Sequence, residues 1–166
     1  MTIDGEFSKL YATDTDGVLA GYNGYNMHFH SPSEHKIEGA TFDAELHIMH
    51  SMRSEFNKGQ GRTTAVVAVL FKVNDNERPN EFLDSLSLGS PGPATVDMTL
   101  LRKALPADIV YFSYQGSRTS PPCDEVVNWY VVESPVTITS AQLAVFNRLW
   151  KNNQDFAKGN GNNRLI

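Results

Sequence analysis

Apolar and polar residues alternate with a period of two along most of this chain. Such alternation places successive side chains on opposite faces of a sheet and predicts β-strands. The segments are rich in Val, Ile, Tyr and Phe, and most are bounded by Gly, Pro, Asn or Asp. The predicted strands are 18–20, 25–30, 44–49, 64–73, 109–114 and 126–132.

Two segments have helical periodicity instead. The first is predicted to run from an N-cap at Asn80 to Leu88, with Gly89 ending it, and the second from a cap at Ser140 to Trp150. The sequence Ser-Pro-Gly-Pro at 90–93 is interpreted as a turn within one domain, because patterned sequence continues on both sides. The pattern therefore predicts a mainly β structure with few helices, forming a single domain over 1–166.

Composition narrows the class of protein. The chain has 166 residues, of which 40% are hydrophobic, so it can bury one sizeable core. The net charge is -5, and the sequence contains no stripe of basic residues, which disfavours a nucleic-acid partner. The longest apolar run, 65–71, is too short for a membrane span, and the N-terminal residues do not resemble a signal peptide. A single cysteine, Cys123, excludes an internal disulfide framework.

All five histidines lie between His28 and His50. On the predicted strand 25–30, His28 and His30 share one face, opposite Met27 and Phe29. Histidine is the commonest metal ligand in proteins, so this clustering indicates a metal site.

The predicted strand 44–49 repeats the arrangement. Glu45, His47 and Met49 share one face, and Leu46 and Ile48 share the other. If turns at 31–33 and 36–41 let the two strands pair, three imidazoles converge. Zinc suits this geometry, because its catalytic sites use three protein ligands and keep a position for water. Asn26 and Glu45 each lie two residues from a ligand, where they can accept the remaining ring N–H.

Two other interpretations compete with zinc. The histidines could be unrelated core or surface residues. A cupin-type site would use His28, His30 and Glu34, but its pattern needs a glycine seven residues after the glutamate and a later histidine. Gly39 comes five residues after Glu34, and no histidine follows His50, so the cupin interpretation is disfavoured.

Four separated motifs then form a recognisable set. They are His28-x-His30 followed by Ser33-Glu34-His35-x-Ile37-x4-Phe42-x2-Glu45-Leu46-His47-Ile48-Met49, the stretch 114–123, the stretch 125–129 and the stretch 161–164. Their content and order resemble the alpha class of carbonic anhydrases, and 31–33 is closer to bacterial, plant and algal members than to vertebrate ones. The resemblance implies a central mixed, largely antiparallel sheet with a few short helices.

The resemblance also implies roles for individual residues. Zn²⁺ would be held by His28, His30 and His47. Thr119 would accept a hydrogen bond from the zinc-bound hydroxide and donate its own to Glu34. The three ligands would be oriented by Asn26, Glu45 and the backbone of Asn162, and the carbon dioxide pocket would be bordered by Met49, Val66, Arg118, Ser120 and Trp129. Without the resemblance, the glutamates would be ordinary solvated carboxylates, Thr119 a turn residue, and Met49 and Trp129 plain core.

The implied function is zinc-dependent, reversible hydration of carbon dioxide to bicarbonate and a proton. The alternative is a carbonic-anhydrase-like binding or structural module that keeps zinc but has little or no turnover. An apolar residue usually precedes the threonine in the family, and Arg118 occupies that position here. Its guanidinium could turn outward, bind an anion or obstruct the pocket.

The family pattern extends beyond this chain at both ends, so the domain is expected to be incomplete there. The family's proton-shuttling histidine has no counterpart, and we assign no shuttle. A preceding segment or a second chain is expected to complete the fold, with Cys123 a candidate disulfide partner. The resemblance favours an extracellular, periplasmic or organelle-lumen location.

Overall fold

An eight-stranded sheet forms the centre of the structure, a computed structural model that describes residues 2–13, 17–59, 61–88 and 96–150. Its strands, with those of a small separate hairpin, are β1 (Thr2–Asp4), β2 (Lys9–Thr13), β3 (Leu19–His30), β4 (Lys36–Ile37), β5 (Ala40–Thr41), β6 (Ala44–Met52), β7 (Thr64–Val73), β8 (Tyr111–Gly116), β9 (Val127–Val132) and β10 (Val136–Ile138). The helices are α1 (Glu81–Ser85), α2 (Met98–Ala104) and α3 (Ser140–Trp150), and a 3-10 turn spans Ser54–Phe56.

The sheet is mixed but mostly antiparallel, which confirms the expected fold class. Its strand order is β1-β3-β6-β7-β9-β8, with β2 also paired to β3 and β10 also paired to β7. Only the pairings of β7 with β9 and with β10 are parallel among the described strands. β4 and β5 form the separate hairpin. β6 therefore lies inside the sheet, bonded to β3 on one side and β7 on the other.

One face of the sheet packs against the helices. Met27, Phe29, Leu46 and Ile48 point to this face and join a cluster of buried side chains that includes Phe146 of α3. The alternate residues of the same strands point to the opposite face, where the second cluster gathers Val66, Ala68, Leu70, Val127, Trp129 and Val131. The period-two pattern thus separates a helix-covered face from the face that carries the histidines.

A bulge in β3 changes which residues face the helices. The register with β6 shifts between Gly24, which pairs with His50, and Asn26, which pairs with Met49. At the bulge two residues of β3 oppose one residue of β6. The alternation of β3 side chains between the two faces of the sheet is therefore reversed after the bulge. Tyr22, upstream, is fully buried on the helix side, whereas His28, six residues later, faces the opposite side.

The sequence predicted most of these elements but not all of their limits. The predicted strands 18–20 and 25–30 are parts of one strand, β3. Asn80 caps α1 by accepting a hydrogen bond from the Leu83 N–H at 3.2 Å, but the helix ends at Ser85. The prediction that Ser140 caps the last helix was wrong. Thr139 caps α3 instead, because its Oγ1 accepts a hydrogen bond from the Gln142 N–H at 3.3 Å.

Several elements were not predicted, namely β1, β2, β4, β5, β10 and α2. The turn at 90–93 and Gly89 lie outside the described residues. Among the described residues, no helix has both the length and the apolar character needed to span a bilayer.

Candidate metal centre

β3 and β6 supply the three histidines of the candidate metal centre. Their antiparallel register places His28 directly opposite His47 and His30 opposite Glu45. Cross-strand partners point to the same face of a sheet, and His30 shares that face because it lies two residues after His28. The ring centroids are 5.1 Å apart for His28 and His30, 5.2 Å for His28 and His47, and 4.6 Å for His30 and His47. One ring nitrogen from each lies within 4.8 Å of those of the other two, so the trio can hold one metal ion.

His47 shows which nitrogen is available to that ion. Its Nε2 lies 2.6 Å from Oε1 of Glu45, and its ring is 1% exposed. Its Nδ1 is buried without a hydrogen-bond partner in the described structure. A buried nitrogen of this kind is costly unless another group takes its lone pair. Zn²⁺ binds neutral imidazole readily, so the donor set fits zinc.

His28 is held in the form that a metal needs. Its Nδ1 lies 3.0 Å from Oδ1 of Asn26. Because an amide oxygen only accepts, Nδ1 donates and Nε2 keeps its lone pair. Burial, and secondarily the neighbouring His47, lower the pKa of His28 to about 4. The ring is therefore neutral near physiological pH, as metal ligation requires.

Glu45 fixes the opposite side of the cluster. It is fully buried, and its Oε2 accepts hydrogen bonds from the main-chain N–H groups of Glu34 at 2.9 Å and His35 at 2.8 Å. Its Oε1 accepts from His47 Nε2 and from His35 Nδ1. Burial opposes ionisation, but the hydrogen bonds from His35 and His47 outweigh it and hold the pKa of Glu45 well below its usual range. The carboxylate can then only accept, which leaves Nδ1 of His47 as the free lone pair.

His35 and Tyr114 belong to this network, and sequence reasoning gave them no role. His35 Nε2 lies 2.7 Å from the Tyr114 hydroxyl. Tyr114 in turn stacks on Trp129, with ring planes 5° apart. Burial, together with the charges of Glu45 and Glu34, raises the pKa of Tyr114 to about 12, so its hydroxyl stays protonated. Both residues lie inside the family motifs, and this position was the only feature of the sequence that could have indicated a role for them.

The group His35, Glu45 and His47 also has spacing that could hold a metal. Its donor atoms already satisfy one another through hydrogen bonds, including the 2.6 Å contact between Glu45 and His47. A metal here would have to break these contacts. The trio of His28, His30 and His47 is therefore the better candidate.

The three histidines open into a cavity of about 340 Å³. Its lining includes the predicted residues Glu34, Met49, Val66, Arg118, Thr119, Ser120 and Trp129, together with Thr2 and Val127, which were not predicted. Trp129 Nε1 donates to the Ser117 carbonyl at 3.1 Å, which ties the loop after β8 to the cavity wall.

Glu34 contacts a candidate ligand directly, because its Oε1 lies 3.2 Å from Nδ1 of His30. The predicted bond from Thr119 to Glu34 stays a prediction, as do the individual roles of the lining residues. Asn162 lies outside the described residues. Cys123 is exposed, and its predicted disulfide pairing stays a prediction.

Comparison with known proteins agrees with this geometry. The family model for eukaryotic-type carbonic anhydrase matches residues 2–165. Alpha carbonic anhydrase 4 of Arabidopsis thaliana is 35% identical over 143 residues, which cover 84% of this chain and 48% of that protein. Carbonic anhydrase 1 of Oryctolagus cuniculus is 31% identical over 174 residues, covering 92% of this chain and 73% of that protein. The chain spans about half the length of several curated relatives that it matches.

Solved structures show the same architecture. The alpha-carbonic anhydrase of Thermovibrio ammonificans, solved in complex with sulfanilamide, superposes with a TM-score of 0.66 at 26% identity. The match covers 99% of this chain and 76% of that one. From the match over nearly all of its residues, and from the shared fold, this chain belongs to the eukaryotic-type, or alpha-class, carbonic anhydrase family.

Proposed function

We propose that this chain catalyses the zinc-dependent, reversible hydration of carbon dioxide to bicarbonate and a proton. The observation that carries the proposal is the convergence of His28, His30 and His47, with the buried Nδ1 of His47 lacking a hydrogen-bond partner in the described structure. Zinc held by these three histidines would supply a Lewis acid that acidifies water, a property established for carbonic anhydrase itself.

The chain's own contribution begins with the ligand tautomers. Asn26 accepts from Nδ1 of His28, and Glu45 accepts from Nε2 of His47. Each contact leaves the other ring nitrogen with its lone pair, and neutral imidazoles leave a metal its full charge. The two acceptors thereby set both the position and the charge of the site.

Thr119 and Glu34 would orient the attacking oxygen. In this proposal the Thr119 hydroxyl would donate a hydrogen bond to the Glu34 carboxylate, which would leave the hydroxyl only lone pairs toward the nucleophile. A hydroxyl in that state fixes the direction of an approaching O–H, and orientation of this kind lowers the entropic part of a barrier. Both residues line the cavity that holds the histidines, which supports this role.

The cavity also suits the substrate. Met49, Val66 and Trp129 form an apolar wall, where a small uncharged molecule loses little hydration. Arg118 adds a permanent positive charge to the same cavity. We propose that this guanidinium attracts the anionic product, bicarbonate.

Stopped-flow carbon dioxide hydration, with metal content measured on the same sample, tests the proposal. We expect near-stoichiometric zinc and turnover that a sulfonamide inhibits. His47→Ala should lose both, whereas His50→Gln, which changes a histidine of the same strand on the opposite face, should keep the metal. Stoichiometric zinc without sulfonamide-sensitive turnover would overturn the enzyme and leave a zinc-binding module.

We also propose that polypeptide from outside residues 1–166 covers the edge strand β8. Tyr111, Phe112 and Tyr114 are 50%, 47% and 41% exposed, although they point alternately to the two faces of the sheet. Large apolar side chains that are exposed on both faces of an edge strand are normally covered by further polypeptide. The exposed Cys123 would be available for a disulfide to that polypeptide in an oxidising compartment. Native mass spectrometry of the natural material, with and without reductant, tests this proposal.

A further inference from the structure

Asp4 contacts Asn26, the residue that orients His28. β1 pairs antiparallel with β3, and the register places Asp4 opposite Asn26. The Asn26 side-chain amide donates from Nδ2 to Oδ1 of Asp4 at 2.7 Å. The other end of the same amide accepts from Nδ1 of His28 at 3.0 Å. One asparagine side chain thus bridges a carboxylate and a candidate metal ligand.

The bridge has only one allowed polarity. An ionised carboxylate has acceptors and no donor, so the amide must present its NH₂ group to Asp4. The amide oxygen must then face His28, and the ring must place its proton on Nδ1. Nε2 is left with the lone pair that a metal takes.

Asn26 alone does not fix this outcome. A side-chain amide can rotate by half a turn and exchange its oxygen with its nitrogen. In the rotated state the NH₂ group would face His28, and the ring would carry its proton on Nε2. That tautomer cannot bind a metal through Nε2, so binding would first require a change in both side chains.

We propose that Asp4 is a positioning residue for the metal centre, acting through the Asn26 amide to select the metal-binding tautomer of His28. The inference rests on the proposed function only in taking His28 as a zinc ligand. Asp4 touches neither the metal nor the substrate, and its effect passes through two hydrogen bonds. The carboxylate is exposed, yet Asp4 lies directly opposite Asn26 in the register that pairs β1 with β3.

Zinc affinity, measured by competition with a chromophoric chelator, is the first test. Replacing an outer partner of a metal ligand typically costs about 10- to 100-fold in affinity, so we expect that range for Asn26→Ala and a smaller loss of about 3- to 10-fold for Asp4→Ala. Asp4→Asn keeps an acceptor oxygen and should rescue most of the affinity. Asp4→Lys offers only donors and should bind zinc more weakly than Asp4→Ala.

Two controls separate this role from general electrostatics. Glu6 is an exposed acid two residues further along, and Glu6→Ala removes the same charge without touching Asn26. It should leave the affinity unchanged. In the Asn26→Ala background, Asp4→Ala should cost nothing more, because the route to His28 is already cut.

The imidazole tautomer gives a readout that needs no activity. Nitrogen-15 NMR of the metal-free wild type should show His28 protonated at Nδ1, and Asp4→Ala should show a mixture of tautomers. A wild-type His28 protonated at Nε2 would overturn the inference even if no variant folded. Equal affinity losses in Asp4→Ala and Glu6→Ala, or additive losses with Asn26→Ala, would overturn it as well.

Failure of the inference and failure of the proposed function remain distinguishable. Zinc affinity and tautomer are measured without carbon dioxide. A wild type that binds zinc and shows the expected variant pattern but no turnover would contradict the proposed function alone. A wild type with turnover, whose zinc affinity is unchanged by substitutions of Asp4, would contradict the inference alone.

Discussion

His28 and His47 are direct cross-strand partners, and a bulge three residues before His28 decides that they share the cavity face. Had β3 continued without the extra residue, the side chains after Gly24 would have kept their earlier alternation. Asn26, His28 and His30 would then have pointed toward the helices. The candidate metal centre therefore depends on one irregularity in β3 as much as on the three histidines.

Glu45→Gln should weaken zinc binding by about 10- to 100-fold. Four donors, from Glu34, His35 and His47, converge on the carboxylate, and a neutral amide provides only one acceptor oxygen for them. Its NH₂ group also favours the wrong tautomer of His47. Chelator competition measures the loss.

Glu38→Gln is a matched control, because Glu38 is an exposed glutamate in the hairpin beside the network. The control should bind zinc like the wild type. Unchanged zinc affinity in Glu45→Gln would contradict the role assigned to the buried carboxylate.

Stability of the metal-free protein should fall as the pH drops below about 6.5, partly because of His50. Burial lowers the pKa of His50 from its ordinary value of 6.5. Its Nδ1 donates to the Ile48 carbonyl at 2.9 Å, and its Nε2 accepts from Ser8 Oγ at 3.1 Å, which holds the neutral ring. Below pH 6.5 the unfolded chain takes up a proton that the folded chain refuses, so protonation favours unfolding.

Urea unfolding across this pH range should therefore show a shallower slope for His50→Gln than for the wild type. The difference can reach one proton, or about 1.4 kcal/mol per pH unit. An identical slope in the two proteins would show that His50 does not titrate differently on folding.

Gly24→Ala should destabilise the fold by about 1–3 kcal/mol. A Cβ at Gly24 would lie 2.9 Å from Ser8 Oγ and 3.4 Å from the His50 ring. Moving the serine hydroxyl away would break its contact with His50. Thermal unfolding measures the effect, and Gly61→Ala is the matched control, because a methyl group added there would have no described atom within 4 Å. Equal stability of the two variants would count against tight packing at the bulge.

The isolated chain should self-associate through β8, and Phe112→Lys should reduce this. The strand is at the edge of the sheet and exposes apolar side chains on both faces. A lysine on an edge strand opposes strand-to-strand pairing. Light scattering against concentration measures the association. Leu19→Lys, at a residue that is 59% exposed on β3, controls for added charge and should change little.

The sequence was sufficient for features that depend on local periodicity. The placement of Met27 and Phe29 opposite His28 and His30 follows from a period of two and needs no knowledge of the partner strand. The pairing of β3 with β6 followed from their closeness along the chain. These two facts were enough to bring three imidazoles together.

Other features depend on contacts that no local pattern records. The bulge in β3 left two apparent strands where one exists. β2 exposes Tyr11 and is ordered by pairing with β3, so its own pattern was weak. His35 lies between strands, where periodicity cannot indicate a direction, and its contact with Glu45 depends on the fold of the preceding turn.

β6 carries both His47 and Glu45, and it is paired with a neighbouring strand on each side, β3 and β7. Amide protons in such an interior strand exchange with solvent mainly when the whole domain opens. We therefore expect the proposed zinc ion to enter and leave by side-chain rotation, while the strands stay paired. A zinc finger needs its metal to fold. This protein should instead keep the geometry of its three candidate ligands when the metal is repeatedly removed and added again.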